Sequence, residues 1–474
     1  MPLWQPLDPL TPADLPTKTV PNWKLTGPGA VLVGLSIGAG EIIIWPRIAA
    51  QHGGGMAWAA AVGIVLQLWV NIEIGRWTVS TGETIYTGFA RLWRGFAPLF
   101  ILLTILGWLA PGWGRASGSA LKALLVGPGG WGSDAFWTLI TFVAVAVVLF
   151  GPKLVYKSVE RTISALVLVI TIGLIIVAFK VTDRQTLAPL PELAAGLVNV
   201  GQVAPGMNVK DLFIAMVFAG AGGTANLFYC FYLRDKHIGM GARVPSLTNI
   251  LRRREEKAPA TGYTFDDTPD NRSRFAAWFG FVRQDQILYF WLLNTFTIML
   301  FIFVALAVLR PAGIVPKPGT LIWDEANELG RHMGNFGTTL FLIVGLATLF
   351  STQVTLVDGV ARSIADIVHT NFAPARSRSV GWWYATVAAA WIVLGCVITF
   401  FMERRGVSDL GFLLNASYMG GFAMAVYVPL TLVLNHRLLP RSARPGWLCT
   451  SMMVVASAVY VGFAIACVIW ELRS

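Results

Sequence analysis

The chain has 474 residues, of which 55% are hydrophobic and 13% charged, and its mean hydropathy is +0.64. Soluble domains carry about 25% charged residues, so this composition excludes a disordered chain and an ordinary water-soluble enzyme. The net charge of +11 is explained by basic loops on one side of a membrane protein, and no nucleic-acid partner is expected.

Residues 1–25 are Pro-rich, mixed in charge and without an apolar core, so they read as a cytoplasmic tail and not as a signal peptide. Eleven apolar segments follow, at about 27–50, 56–80, 96–125, 134–151, 156–180, 209–233, 285–309, 334–358, 380–402, 408–434 and 446–470. Lipid offers backbone groups no hydrogen-bond partner, so each segment is expected to be a helix, irregular only where protein or water covers it. A cytoplasmic N-terminus places about two-thirds of the Lys and Arg residues on inside loops, in keeping with the positive-inside rule. Eleven spans then put the C-terminus outside. The stretch at 234–283 is the one sizeable polar loop, and it holds Arg252-Arg253-Arg254 and Asp266-Asp267-Thr268-Pro269-Asp270. It is expected to be a solvated linker, with a lipid-binding role as the sharper alternative.

Cys230, Cys396, Cys449 and Cys467 form no C-x-x-C pair, and the five histidines fall in loops or at span ends. Neither a disulfide framework nor a zinc constellation is implied. No cofactor is expected, and no cluster of acids or nucleophiles suggests a membrane enzyme.

Two segments are interrupted. The first carries Gly38-Ala39-Gly40-Glu41 at mid-span. Glycine weakens a helix by about 1 kcal/mol relative to alanine, and a carboxylate at mid-membrane costs at least about 2.5 kcal/mol. An unwound stretch facing a polar cavity is expected, against a continuous helix in which Glu41 pairs with a neighbouring Arg. The sixth segment carries Ala219-Gly220-Ala221-Gly222-Gly223 followed by Asn226. Glycine breaks five spans apart point to inverted repeats with a site between them. The expected organisation is a first repeat over 26–184, a second over 208–436, and an added span at 446–474.

On these features the chain resembles the Nramp family of proton-coupled divalent-metal transporters. The resemblance rests on Gly27-Pro28-Gly29, Thr81-Gly82-Glu83, Gly118-Ser119-Ala120 and Asn226-Leu227-Phe228-Tyr229, taken in span order. It implies an all-α polytopic membrane protein with a LeuT-type fold, 5+5 inverted repeats and broken helices 1 and 6. It implies a secondary transporter that works by alternating access. The family's first-span Asp-Pro-Gly-Asn aligns with Gly38-Ala39-Gly40-Glu41, and its sixth-span Met-Pro-His-Asn with Gly223-Thr224-Ala225-Asn226. The Asp, thioether and imidazole ligands are therefore missing. Thioether favours transition metals, whereas carboxylate and carbonyl oxygens favour harder cations, so the family's usual manganese or iron selectivity is not expected. The family's acidic proton-path residues align with Gly112 and Arg115.

The expected substrate-binding set is Gly38, Ala39, Gly40, Glu41, Ala219, Gly220, Ala221, Gly222, Gly223 and Asn226, with Glu41 a candidate metal ligand. Arg115, Gln353, Asp358 and Tyr418 are candidates for coupling or gating, and Glu41 and Arg115 could pair. Asp358 could instead pair with Arg362 at i+4, and Glu73 with Arg76. Glu83, Glu160 and Arg161 are candidate gate contacts, and Asn415 and Ser417 candidate polar groups of the tenth span. The expected partners are the lipid bilayer, a small ion or polar solute, and a coupling proton or cation. An organic or anionic substrate, and a non-transporting sensor, remain alternatives.

Overall fold

A computed structural model describes residues 7–38, 40–109, 111–182, 187–248, 261–316, 321–405 and 409–473, without the side chains of 321 and 409–417. Ala39 and the Arg252–Arg254 run lie outside the described residues, as do the side chains of Asn415 and Ser417.

Nine helices among the described residues are long and apolar enough to cross a membrane. The apolar helix Asp134–Phe150 and the divided sixth segment complete eleven segments in the expected order. Large apolar side chains cover the outside of the bundle. Leu102, Val143, Val147, Leu168, Phe179, Val393 and Val454 are all exposed. Such a surface is unfavourable in water and suits lipid.

Three spans are divided. The first runs as Pro28–Ser36, loosens at Ile37, and resumes through a wide turn at Gly40–Ile44 into Trp45–His52. Gly53, at φ 78°, ends it. The sixth runs as Val209–Val217, breaks, and resumes at Gly223–Phe228 and Tyr229–Asp235. Gly222 and Gly223 hold φ of 66° and 48°, a left-handed turn that side-chain-bearing residues rarely adopt. The third is divided around Pro111 into Phe96–Trp108 and Gly112–Val126. The apolar segment at about 96–125, expected as one helix, is therefore two.

The seventh span is also longer than expected. It starts at Pro269, behind a Thr268 N-cap, and reaches Leu309. Part of the expected polar loop is therefore helix. Its polar first turns read as loop because hydropathy, not capping, set the boundary. The eighth runs Leu321–Asn371 and turns at Gly334, where φ is 67°. The ninth, tenth and eleventh are Val380–Arg405, Asp409–Leu438 and Trp447–Arg473. The second and fifth are Ala57–Thr81 and Val155–Val181.

One end of the bundle, the basic face, gathers the N-terminal segment and the loop after the sixth span. Strand Thr11–Pro12 pairs in parallel with Tyr263–Thr264. Glu83 takes a two-pronged bond from Arg91 at 2.8 and 2.5 Å and accepts the Gly262 N–H at 2.8 Å. Ser442 donates its N–H and hydroxyl to Asp267, and the hydroxyl holds that carboxyl below the usual carboxylate range. Part of the acidic cluster thus serves as a fastening.

Candidate functional site

Unwinding a helix frees backbone groups that must find partners. In the sixth span side chains supply most of them. Gln67, on the second span, donates its amide to the carbonyls of Val217 at 2.9 Å and Met216 at 3.4 Å. Its amide oxygen accepts the Gly222 N–H and the Asn226 side-chain amide, each at 3.1 Å. One side chain thereby bridges both edges of the break. Asn294, on the seventh span, donates to the Ala219 carbonyl at 2.8 Å and accepts the Ser36 hydroxyl at 2.6 Å. It joins the sixth-span break to the end of the first half-helix. The Tyr427 hydroxyl donates to the Gly223 carbonyl at 2.8 Å, and the Asn226 amide donates to that hydroxyl at 3.1 Å.

The two breaks touch. A Cβ on Gly40 would fall 2.0 Å from the Phe218 carbonyl oxygen, and one on Gly38 would fall 2.4 Å from the Thr352 hydroxyl. Only glycine allows the Gly40 approach, because the obstacle is backbone. Gly220 packs against Gln67 in the same way, and Gly223 against Gly420. Phe218, Trp108 and Trp113 form an aromatic wall on one flank, with centroids 5.2–6.1 Å apart. Trp108 donates its indole N–H to Thr224 at 2.8 Å.

Glu41 is fully buried, and among the described residues neither of its carboxylate oxygens has a hydrogen-bond partner of ordinary geometry. Thr297 of the seventh span stands beside it, but that hydroxyl donates to the carbonyls of Leu293 and Asn294. Among the described residues the Asn226 amide oxygen, both amide atoms of Gln353, and the Ser117 and Ser119 hydroxyls are also buried without partners. Gln353 lies against Gly114 of the third span, one residue after the Thr352 that meets Gly38. Native proteins leave few buried polar atoms unpaired. A fully buried carboxylate with neither oxygen paired marks a place for water, an ion or a solute.

The remaining sequence candidates are placed as follows. Glu41 and Arg115 do not meet, since Arg115 reaches the Thr399 carbonyl of the ninth span at 3.5 Å. Glu41 and Asn226 have different neighbours, the seventh span for one and the second and tenth for the other. Asp358 takes Arg362 at 2.9 and 2.8 Å and the Tyr384 hydroxyl at 2.8 Å. Arg362 also reaches Asp235 at 2.5 Å, so the i+4 pair belongs to a buried chain linking the sixth, eighth and ninth spans. Glu73 pairs with Arg76 at 2.8 Å, and Glu160 with Lys236 at 2.5 Å. Tyr418 lies under the Lys210 ammonium, 4.4 Å from its ring centroid, near the opposite face. Ala221 is buried in the break. Among the described residues no three His, Cys, Asp or Glu side chains come together as a metal cluster.

Sequence reasoning missed Gln67 and Asn294. It also missed Asp285, which accepts the Tyr229 hydroxyl at 2.7 Å and packs so tightly on Gly29 that a Cβ there would lie 2.6 Å from its carboxylate. A polar residue inside an apolar segment was the available signal.

No protein-family model matches the chain, and no curated protein matches it in sequence. Solved structures do. A variant of the manganese transporter from Eremococcus coleocola shares 14% identity at a TM-score of 0.68, over 97% of this chain and 89% of that one. A nucleobase-cation-symport-1 family transporter with bromovinylhydantoin bound shares 15% identity at a TM-score of 0.54, over 96% and 95%. MhsT in complex with L-phenylalanine shares 15% identity at 0.52, over 92% and 98%. The likeness shows the fold: all-α, LeuT-type, two five-helix repeats whose first helices are broken.

Proposed function

We propose that the chain is a secondary active transporter that carries a hard cation past the paired breaks by alternating access. One observation carries this reading: Glu41 is a buried, unpartnered carboxylate in the first break, beside the point where Gly40 meets Phe218. An ionised carboxylate taken out of water costs several kcal/mol unless it is paired. A cation or a proton arriving at Glu41 removes that cost, so occupancy and conformation become linked. The loosened backbone of the first break supplies further oxygen atoms. Carboxylate and carbonyl oxygens suit hard cations, and the thioether and imidazole donors that would favour softer transition metals are absent from this site.

The ion pairs on the basic face suit a closed gate. Glu160–Lys236, Asp358–Arg362–Asp235 and Arg234–Asp366 cross-link the fifth, sixth and eighth spans. Under the expected orientation this face is cytoplasmic.

The test is uptake into proteoliposomes of the full chain, comparing magnesium with manganese. The reading expects saturable magnesium uptake that Glu41→Gln abolishes while the variant stays folded. Saturable manganese uptake competed by iron would overturn the cation assignment. The wall of Trp108, Trp113 and Phe218 favours a second reading, an aromatic or planar organic solute stacked on it. Saturable quenching of tryptophan fluorescence by an aromatic amino acid, lost in Trp113→Ala, would select it.

A further inference from the structure

The basic face holds a cavity of about 450 Å³ away from the breaks, within the range of small-ligand sites. It opens between the ends of the second, sixth and eighth spans and the start of the ninth. Two carboxylates reach it, and both are engaged. Glu83 is held by Arg91 and the Gly262 N–H. Asp366 takes Arg234 at 3.1 Å on one oxygen, and Thr84 at 2.5 Å on the other. Three arginines line the same space. Among the described residues the buried Nε of Arg234 has no partner. Arg376 donates from one guanidinium nitrogen to the Thr370 carbonyl at 3.2 Å. Arg378 is exposed and stacks over Trp382, 5.4 Å from its centroid. The ninth span begins here behind Ser379, whose hydroxyl caps the Trp382 N–H, and the positive end of that long helix faces the cavity.

We propose that this cavity binds a phosphate-bearing anion. Its lining offers guanidinium donors, a helix N-terminus and hydroxyl groups, while its acids are already neutralised by neighbours. Arginine suits phosphate because its planar fork donates two parallel bonds. The occupant would tie Arg234, at the end of the broken sixth span, to Arg376 and Arg378 in the turn before the ninth. Anion binding therefore holds the basic-face end of the sixth span against the eighth and ninth, and regulates rather than supplies the transported species. A free phosphate compound and an anionic lipid headgroup present the same chemistry.

The purified full-length chain in detergent, stripped of phospholipid, distinguishes them by apparent Tm. One arm titrates inorganic phosphate against chloride at matched ionic strength. The other adds phosphatidylglycerol or phosphatidylcholine. The proposal expects a saturable rise in Tm of the unmodified protein that is lost in the R376Q/R378Q double variant. A rise with phosphate identifies a soluble anion. A rise with phosphatidylglycerol alone identifies a headgroup. No rise with either probe, or the same rise in the variant, overturns the site. If the double variant does not fold, exposed Arg378→Gln alone must weaken the response. The readout needs no transport, so its failure leaves the transporter reading standing.

Discussion

The two breaks share a glycine-rich composition and differ in how their polar groups are met. At the sixth-span break, Gln67, Asn294 and Tyr427 take up the carbonyls of Met216, Val217, Ala219 and Gly223 and the N–H of Gly222. At the first-span break, Glu41 is buried with both oxygens unpartnered. The backbone of the sixth-span break is thus largely taken up by side chains, with the Asn226 amide oxygen left over, whereas the first-span break holds an unpaired carboxylate. Side-chain amides suit the joint because each offers both a donor and an acceptor without a buried charge. A carboxylate suits the other place because it changes its partner when a cation or proton comes and goes.

The sharpest way to break the comparison is at the point of contact. Gly40→Ala drives a methyl group into the Phe218 carbonyl and should cost at least the upper part of the roughly 1–3 kcal/mol range for overpacking. A marked fall in apparent Tm or loss of folded protein checks it. Gly107→Ala is its counterpart, since nothing lies within 4 Å of that position. It should be neutral or stabilising by up to about 1 kcal/mol.

Gln67→Leu comes next. It strips four bonds from the sixth-span break, and each abandoned buried group costs about 1–3 kcal/mol. A clear Tm drop is expected, with faster amide exchange around Gly222. Ser36→Ala removes the one described bond from the first half-helix to Asn294 and should cost about 1 kcal/mol. Among the variants that alter polar groups at the breaks, Glu41→Gln should have the smallest effect on stability, because no described hydrogen bond to that carboxylate is lost. A large loss of Tm in Glu41→Gln, or none in Gln67→Leu, would reverse the roles assigned to the two breaks.

Much of this architecture could be read from residues alone. Apolar length located eleven segments, and Gly38, Gly40, Gly220, Gly222 and Gly223 located the breaks, because helix propensity is a local property. The Asp358–Arg362 pair was legible from its i+4 spacing, while its third member, Asp235, was not, lying 127 positions away. The division of the third span at Pro111 had a local signal that high hydropathy on both sides concealed. Gln67 and Asn294 gave only a weak signal, because each is a lone uncharged amide in an apolar helix and its partners lie on other spans. Glu41 and Arg115 illustrate the opposite limit. Two opposite charges in one apolar chain suggest a pair, yet which helix faces which is a tertiary fact, and Arg115 turns to the ninth span.

The central claim is that Glu41 is the group which the substrate completes. Uptake by proteoliposomes bearing the unmodified chain and Glu41→Gln, with both proteins matched in apparent Tm and in reconstituted amount, tests it most directly. Saturable cation uptake by the first and background leak by the second are expected. Equal uptake by the two would contradict that claim.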